Sequence, residues 1–198
     1  SCYHFGEQQW THRFQSKTNS PQFFYFVYGA FLFSMLFWSH AEQTQFIIKE
    51  LSDLHITPIS FQYMTFTSVF FCVLYLLLQF SASKTLIIDV LLQSALLILL
   101  FWTTNLIVSF GTYFIIWHSW PSLQDQTRML YNKPNAYFEY LKDAFHYWII
   151  SILGLSLFFV YNEQIGLNPL ALFFAFLAAI TFPHVLVIFG LHQKFKLG

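Results

Sequence analysis

Charge is what this sequence has least of. Only 9% of its residues are Asp, Glu, Lys or Arg, where a soluble domain carries roughly 25%, and that deficit excludes an ordinary water-exposed globule. No block of Lys or Arg exists and the formal net charge is zero, which excludes nucleic acid as a partner. The two cysteines, Cys2 and Cys72, lie far apart without metal-ligand or disulfide spacing, so they read as packing residues. Also missing are the His-Glu-x-x-His helix, the Gly-x-Ser-x-Gly nucleophile turn and any pair of catalytic carboxylates, an absence that disfavours hydrolysis. No repeat, low-complexity tract or linker divides residues 1–198, which read as one integral membrane domain.

Apolar runs fill the space that charge leaves. Hydrophobic residues make up 57% of the chain and aromatics 22%, and a span of the hydrocarbon core needs about 17 to 25 such residues in a row. Residues 23–39 form one run, opened by Pro21 at a helix-start position. Further runs cover 59–80, 144–161 and 167–191. The stretch 85–120 is too long for one crossing, and its one central polar break, Thr103-Thr104-Asn105, divides it into 85–102 and 104–120.

Charge placement tests this division. With six spans, one side of the membrane holds Arg13, Lys17, Lys84, Arg128, Lys133, Lys142, Lys194 and Lys196, leaving only Lys49 on the other. With 85–120 as a single span the split is three against six. The positive-inside rule therefore favours an all-α, polytopic transmembrane bundle of about six spans, basic face cytoplasmic. Between spans four and five, Ser122 and Asp125 resemble a capping box opening a short amphipathic helix with Leu123 and Leu130 on one side. This segment is expected on the membrane surface, with its aromatics at headgroup level.

Eight histidines are many for a chain so poor in charge. In the six-span arrangement His4, His12, His118, His146, His184 and His192 fall toward the cytoplasmic side, whereas His40 and His55 lie a bilayer thickness away, roughly 30 Å. One metal site cannot use both groups. His184 stands inside the last span behind Pro183, which removes a helical hydrogen bond and bends the helix. Its local chemistry allows a ligand or catalytic role, or a plain hydrogen bond to a neighbouring helix. His118 ends the fourth span between Trp117 and Trp120, where it is either a ligand or an interfacial histidine. His4 sits in Tyr3-His4-Phe5-Gly6-Glu7, where Gly6 permits close backbone approach and Glu7 is placed to orient an imidazole from behind. Several neutral imidazoles in an apolar site suit Fe(II), Zn or Cu, and the scarcity of carboxylates argues against Mg or Ca. Asp89 is the one acid well inside a span, open to a proton-relay role or to hydrogen bonds with Thr85 or Gln93 on its own helix.

Three stretches carry a resemblance: Tyr3-His4-Phe5-Gly6, then Phe110-Gly111-Thr112-Tyr113-Phe114 leading into Trp117-His118-Ser119, and Thr181-Phe182-Pro183-His184. In this order and separation they resemble the Brp/Blh family of bacterial and archaeal membrane β-carotene 15,15'-dioxygenases, which form retinal. The family carries an earlier His-Gly-x-x-Asp motif, so the chain is expected to be N-terminally truncated and a fourth histidine ligand to lie upstream. Some members have a histidine where this chain has Ser122.

The resemblance implies a non-haem Fe(II) centre with His4, His118 and His184 as metal ligands, His118 and His184 carrying the catalysis, and Glu7 behind them. The substrates it implies are a carotenoid and O2, cleaved at the central double bond to two retinals that pass to a rhodopsin-type protein. Tyr113, Trp117 and Phe182, within about a turn of the proposed ligands, are the expected substrate contacts. The implied location is the cell (inner) membrane, the metal site toward the cytoplasm. β-Carotene is rigid, lacks a polar handle and is about as long as the bilayer core is thick, roughly 30 Å, so an enzyme reaches it from within lipid. The rival class is a non-enzymatic transporter or complex-anchoring subunit with interfacial histidines. A desaturase or hydroxylase is disfavoured because no His-x-x-His-His cluster occurs.

Overall fold

The computed structural model describes residues 1–14, 21–78, 84–131, 136–166 and 168–181. Among the described residues the chain is all helical, with no strand. A short helix α1 (Cys2–Trp10) ends in a 3-10 turn, Thr11–Arg13. There follow α2 (Pro21–Ser39), the polar helix α3 (Ala41–Ser52), α4 (Pro58–Leu78) and α5 (Lys84–Thr103). Next come α6 (Leu106–Tyr113), α7 (Trp120–Tyr131), α8 (Tyr137–Ile165) and α9 (Pro169–Thr181). α2, α4, α5 and the Tyr137–Tyr161 part of α8 are long and apolar enough to cross a membrane.

The helices α4, α5 and α8 turn much of their apolar surface outward, as at Phe66, Phe70, Leu77, Leu91, Leu99, Trp148 and Ile150. In water such a surface would drive aggregation, whereas against acyl chains it is at home. The protein is a polytopic transmembrane helix bundle.

The core gathers around α2, the most buried of the long helices. α4 runs antiparallel to it, with Phe37 against Phe61 at one end and Phe24 against Tyr75 at the other. α1 lies antiparallel on another face, where two glycines set the distance. A Cβ on Gly6 would strike the carbonyl oxygen of Tyr25, and one on Gly29 would strike that of Cys2. Backbone thus meets backbone at both ends of the contact, the small-residue packing that joins helices where lipid supplies no hydrophobic drive.

Polar pairs fix how α1 sits against α5. Asp89 and Gln93, one turn apart on α5, meet Arg13 and Gln9: Arg13 Nη1 donates to Asp89 Oδ2 at 2.6 Å and Gln9 Nε2 donates to Gln93 Oε1 at 2.8 Å. The break between α5 and α6 is equally well satisfied. Asn105 Oδ1 caps α6 by accepting from the Val108 N–H at 3.0 Å, and the Nε2 of His40 lies 2.9 Å from the Thr104 carbonyl. His40 thereby ties the end of α2 to this break.

Past Tyr113 the chain does not stop. A π-helical turn, Phe114–Ser119, carries α6 directly into α7, the Trp120 N–H donating to the Ile115 carbonyl. Pro121 explains the widened turn: it has no N–H to donate and its ring would crowd the carbonyl one turn back, a conflict a π turn relieves. Ser122 therefore lies inside α7 and is no N-cap; its Oγ accepts from Gln126 Nε2 at 2.9 Å. The capping box expected there is absent because the preceding helix never ends.

Replacing Gly6 by Ala is expected to destabilise the protein by about 1–3 kcal/mol, since backbone has to move to admit the methyl group. Gly154→Ala on α8, where an added Cβ meets nothing within 4 Å, is expected to be neutral or slightly stabilising. Thermal unfolding of the two variants in the same detergent compares them directly.

Candidate functional site

His4 and His118 come from helices more than a hundred residues apart, yet their ring centres lie 5.1 Å from each other with the planes at 81°. Both side chains are buried, at 4% exposure each. His4 owes its position to the Gly6–Tyr25 approach, which presses the face of α1 bearing His4, Phe5 and Gln8 into the bundle. His118 is held by Phe5, whose ring stacks on the imidazole at 4.1 Å and 15°, and by Phe114 one turn back at 5.2 Å. With Phe5 stacked on one face, the His118 ring meets the His4 ring nearly at right angles. The Nε2 of His4 and the Nδ1 of His118 are both sealed from solvent.

A carboxylate network secures α1 to α7 beside this pair. Asp125 accepts from Gln8 Nε2 at 3.0 Å, and His12 Nε2 lies 3.2 Å from its other oxygen. Glu7, expected behind an imidazole, accepts the Tyr3 hydroxyl at 3.1 Å across one turn of α1. Asp89 is ion-paired with Arg13 and about a third exposed, at 31%, so the pair ties the turn after α1 to α5.

His118 also lines a cavity of about 700 Å³ between the helix 106–131, α8 and the end of α9. Its wall is largely apolar: Phe114, Leu123, Phe145 and Trp148 contribute, with Thr181 at the α9 end. Tyr113 and Trp117 do not line it. They stack on each other at 6.4 Å on a neighbouring face, Tyr113 being wedged between Phe5 and Phe101 in the core. Residues 114, 118 and 122 share the cavity face instead, because four-residue spacing keeps a helical stripe together. That spacing, read outward from His118, was the available signal for Phe114, Ser122 and Gln126. On α8, Tyr140, Leu141, Ala144 and Phe145 recur at helical spacing and share the cavity face, and the Tyr140 hydroxyl donates to Gln126 Oε1 at 2.9 Å. Nearby, the Tyr131 hydroxyl donates to Asp143 at 2.6 Å, a bond that joins α7 to α8 and pushes the phenol up to about 12.

His184, Phe182 and His192 lie outside the described residues. His55 and His146 are exposed, and His40 is engaged at the α5–α6 break. Among the described residues no group of three or more His, Cys, Asp or Glu side chains is spaced to hold a metal ion.

The chain is a helical membrane protein with a buried pair of imidazoles, one of which, His118, stands on the wall of a largely apolar cavity. The chain belongs to the beta-carotene 15,15'-dioxygenase family, whose model matches residues 1–192. No curated protein and no solved structure matches the chain. Membership supports a β-carotene dioxygenase-like function with a carotenoid as substrate.

Asp125→Ala removes the acceptor shared by Gln8 and His12. About 1 kcal/mol of docking energy is expected to go with it, given the exposure of His12. Hydrogen exchange along residues 2–10 is then expected to quicken severalfold while α4 is unaffected.

Proposed function

We propose that the protein is a membrane-embedded oxygenase that splits β-carotene at its central double bond with O2, giving two retinal molecules. The observation that carries this reading is the His4–His118 pair, two buried imidazoles with ring centres 5.1 Å apart, one of them on the wall of an apolar cavity. Two imidazoles that share one ion at a metal–nitrogen distance of about 2.1 Å have ring centres roughly 4.5 to 6 Å apart, so the spacing fits joint ligation. The donor set fits as well, since neutral nitrogen ligands suit Fe(II).

In this reading His4, His118 and His184 would hold the ion, and His118 and His184 would be the catalytic residues. Thr181, which lines the cavity, stands three residues before His184 in the sequence. When bound, Fe(II) supplies the means to activate O2 for addition across the carotenoid double bond. The chain's own part is geometric and dielectric. Phe5 and Phe114 keep the His118 ring from turning, the glycine contact fixes His4 opposite it, and the apolar wall excludes water from an oxygen-sensitive step. A hydrocarbon substrate gives no polar handle, so register along the polyene rests on cavity shape, with Phe114 and Trp148 as the aromatic surfaces available to it. The reading puts the site toward the cytoplasmic side of the cell membrane and hands retinal on to a rhodopsin-type protein.

Expression of the complete gene product in β-carotene-producing bacteria is expected to bleach the colour and accumulate retinal. His4→Ala, His118→Ala and His184→Ala are each expected to abolish cleavage and lower iron bound to the purified protein, while His55→Ala does neither. Unchanged pigment with the protein present in the membrane would overturn the proposal. Full activity of the His4 and His118 variants would remove the metal site.

A further inference from the structure

Besides His118, Ser119 and Thr181, the largely apolar cavity wall carries a hydrogen-bonded polar stripe that a pure hydrocarbon does not need. The Tyr140 hydroxyl donates to Gln126 Oε1 at 2.9 Å, and Gln126 Nε2 donates to Ser122 Oγ at 2.9 Å. All three side chains line the cavity. The donors run in one direction, from α8 across α7 to Ser122, so each bond polarises the next and the terminal hydroxyl becomes a stronger donor than an isolated serine. Ser122 is only 5% exposed. Among the described residues its hydroxyl proton has no acceptor. Thr181, another hydroxyl on this wall, donates to the Leu177 carbonyl of its own helix at 2.7 Å.

A buried donor facing a cavity without an acceptor is costly unless a ligand brings one. Ser122 lies one helical turn beyond His118 on the same face, so that acceptor would sit within a turn of the imidazole pair. Resting on the carotenoid-cleavage reading above, we infer that Ser122, backed by Gln126 and Tyr140, is the binding residue for the carbonyl oxygen of a conjugated isoprenoid aldehyde, and that this cavity holds one cleavage product. Central cleavage creates carbonyl oxygens where the substrate had none. A donor beside the point of scission therefore distinguishes product from substrate by the one atom type in which they differ. The chemistry also orients the product, its oxygen toward His118 and its hydrocarbon tail along Phe145 and Trp148.

The test compares two ligands on the purified protein in lipid nanodiscs: all-trans-retinal, and its hydrocarbon analogue with a methyl group in place of the aldehyde. Quenching of tryptophan fluorescence reports both, since Trp148 lines the cavity. The unaltered protein is expected to bind the aldehyde about fivefold more tightly than the hydrocarbon, the worth of one net hydrogen bond. Ser122→Ala is expected to erase that preference while leaving hydrocarbon affinity unchanged, Ser122→Thr to keep it, and Tyr140→Phe to reduce it. Equal weakening of both ligands by Ser122→Ala, or a preference that survives it, would overturn the inference. The cleavage reading is judged separately by retinal formation: a chain that forms retinal without the preference loses this inference alone.

Discussion

The structure depends on how closely the α1 backbone approaches the α2 backbone. Gly6 against Tyr25 and Gly29 against Cys2 leave no room for a side chain at either contact. In lipid, where one apolar surface is as well solvated as another, such packing and the polar pairs around it are what hold one helix to the next. The distance it sets is transmitted directly to His4, two residues before Gly6. A short helix of nine residues would not hold its place by propensity alone. It is held by backbone contact on one side, by the Gln9–Gln93 and Arg13–Asp89 pairs on a second, and by Asp125 on a third.

The other half of the site comes from a continuous rod, residues 106–131, and its position depends on a fault in the helical ladder. By widening before Pro121, the helix carries His118 and Ser122 on one stripe and continues to Asp125, which reaches back to α1. The residues that fix the histidine pair and those that anchor α1 thus share one element, and movement in either is felt by the other. α8 closes the cavity from outside through Tyr140 and Trp148 while exposing most of its surface. That division suits a helix with lipid on one side and a ligand on the other.

Much of this was legible in residue order. The helical class followed from apolar runs too long for strands or soluble helices, and the α5–α6 break from Thr103-Thr104-Asn105, polar groups that an apolar helix cannot carry without satisfying them locally. Elsewhere local signals misled. Ser122 and Asp125 have capping-box spacing, but a cap requires a helix to begin there, and the chain arrives already helical. Asp89 looked isolated because its partner, Arg13, lies across a stretch of sequence that no local pattern bridges. Tyr113 and Trp117 are close to His118 in sequence, and helical rotation turns them onto a face other than the one that lines the cavity.

The sequence by itself determined the class of fold, the lipid-facing composition and which imidazoles were available, because hydropathy, periodicity and residue chemistry are local properties. Only the tertiary structure decided that His4 and His118 meet, that Phe5 covers one of them, and that Ser122, Gln126 and Tyr140 form a single polar stripe on one wall. Those relations join positions up to 114 residues apart, and they arise from the crossing distance and rotation of packed helices, which no single stretch of chain contains.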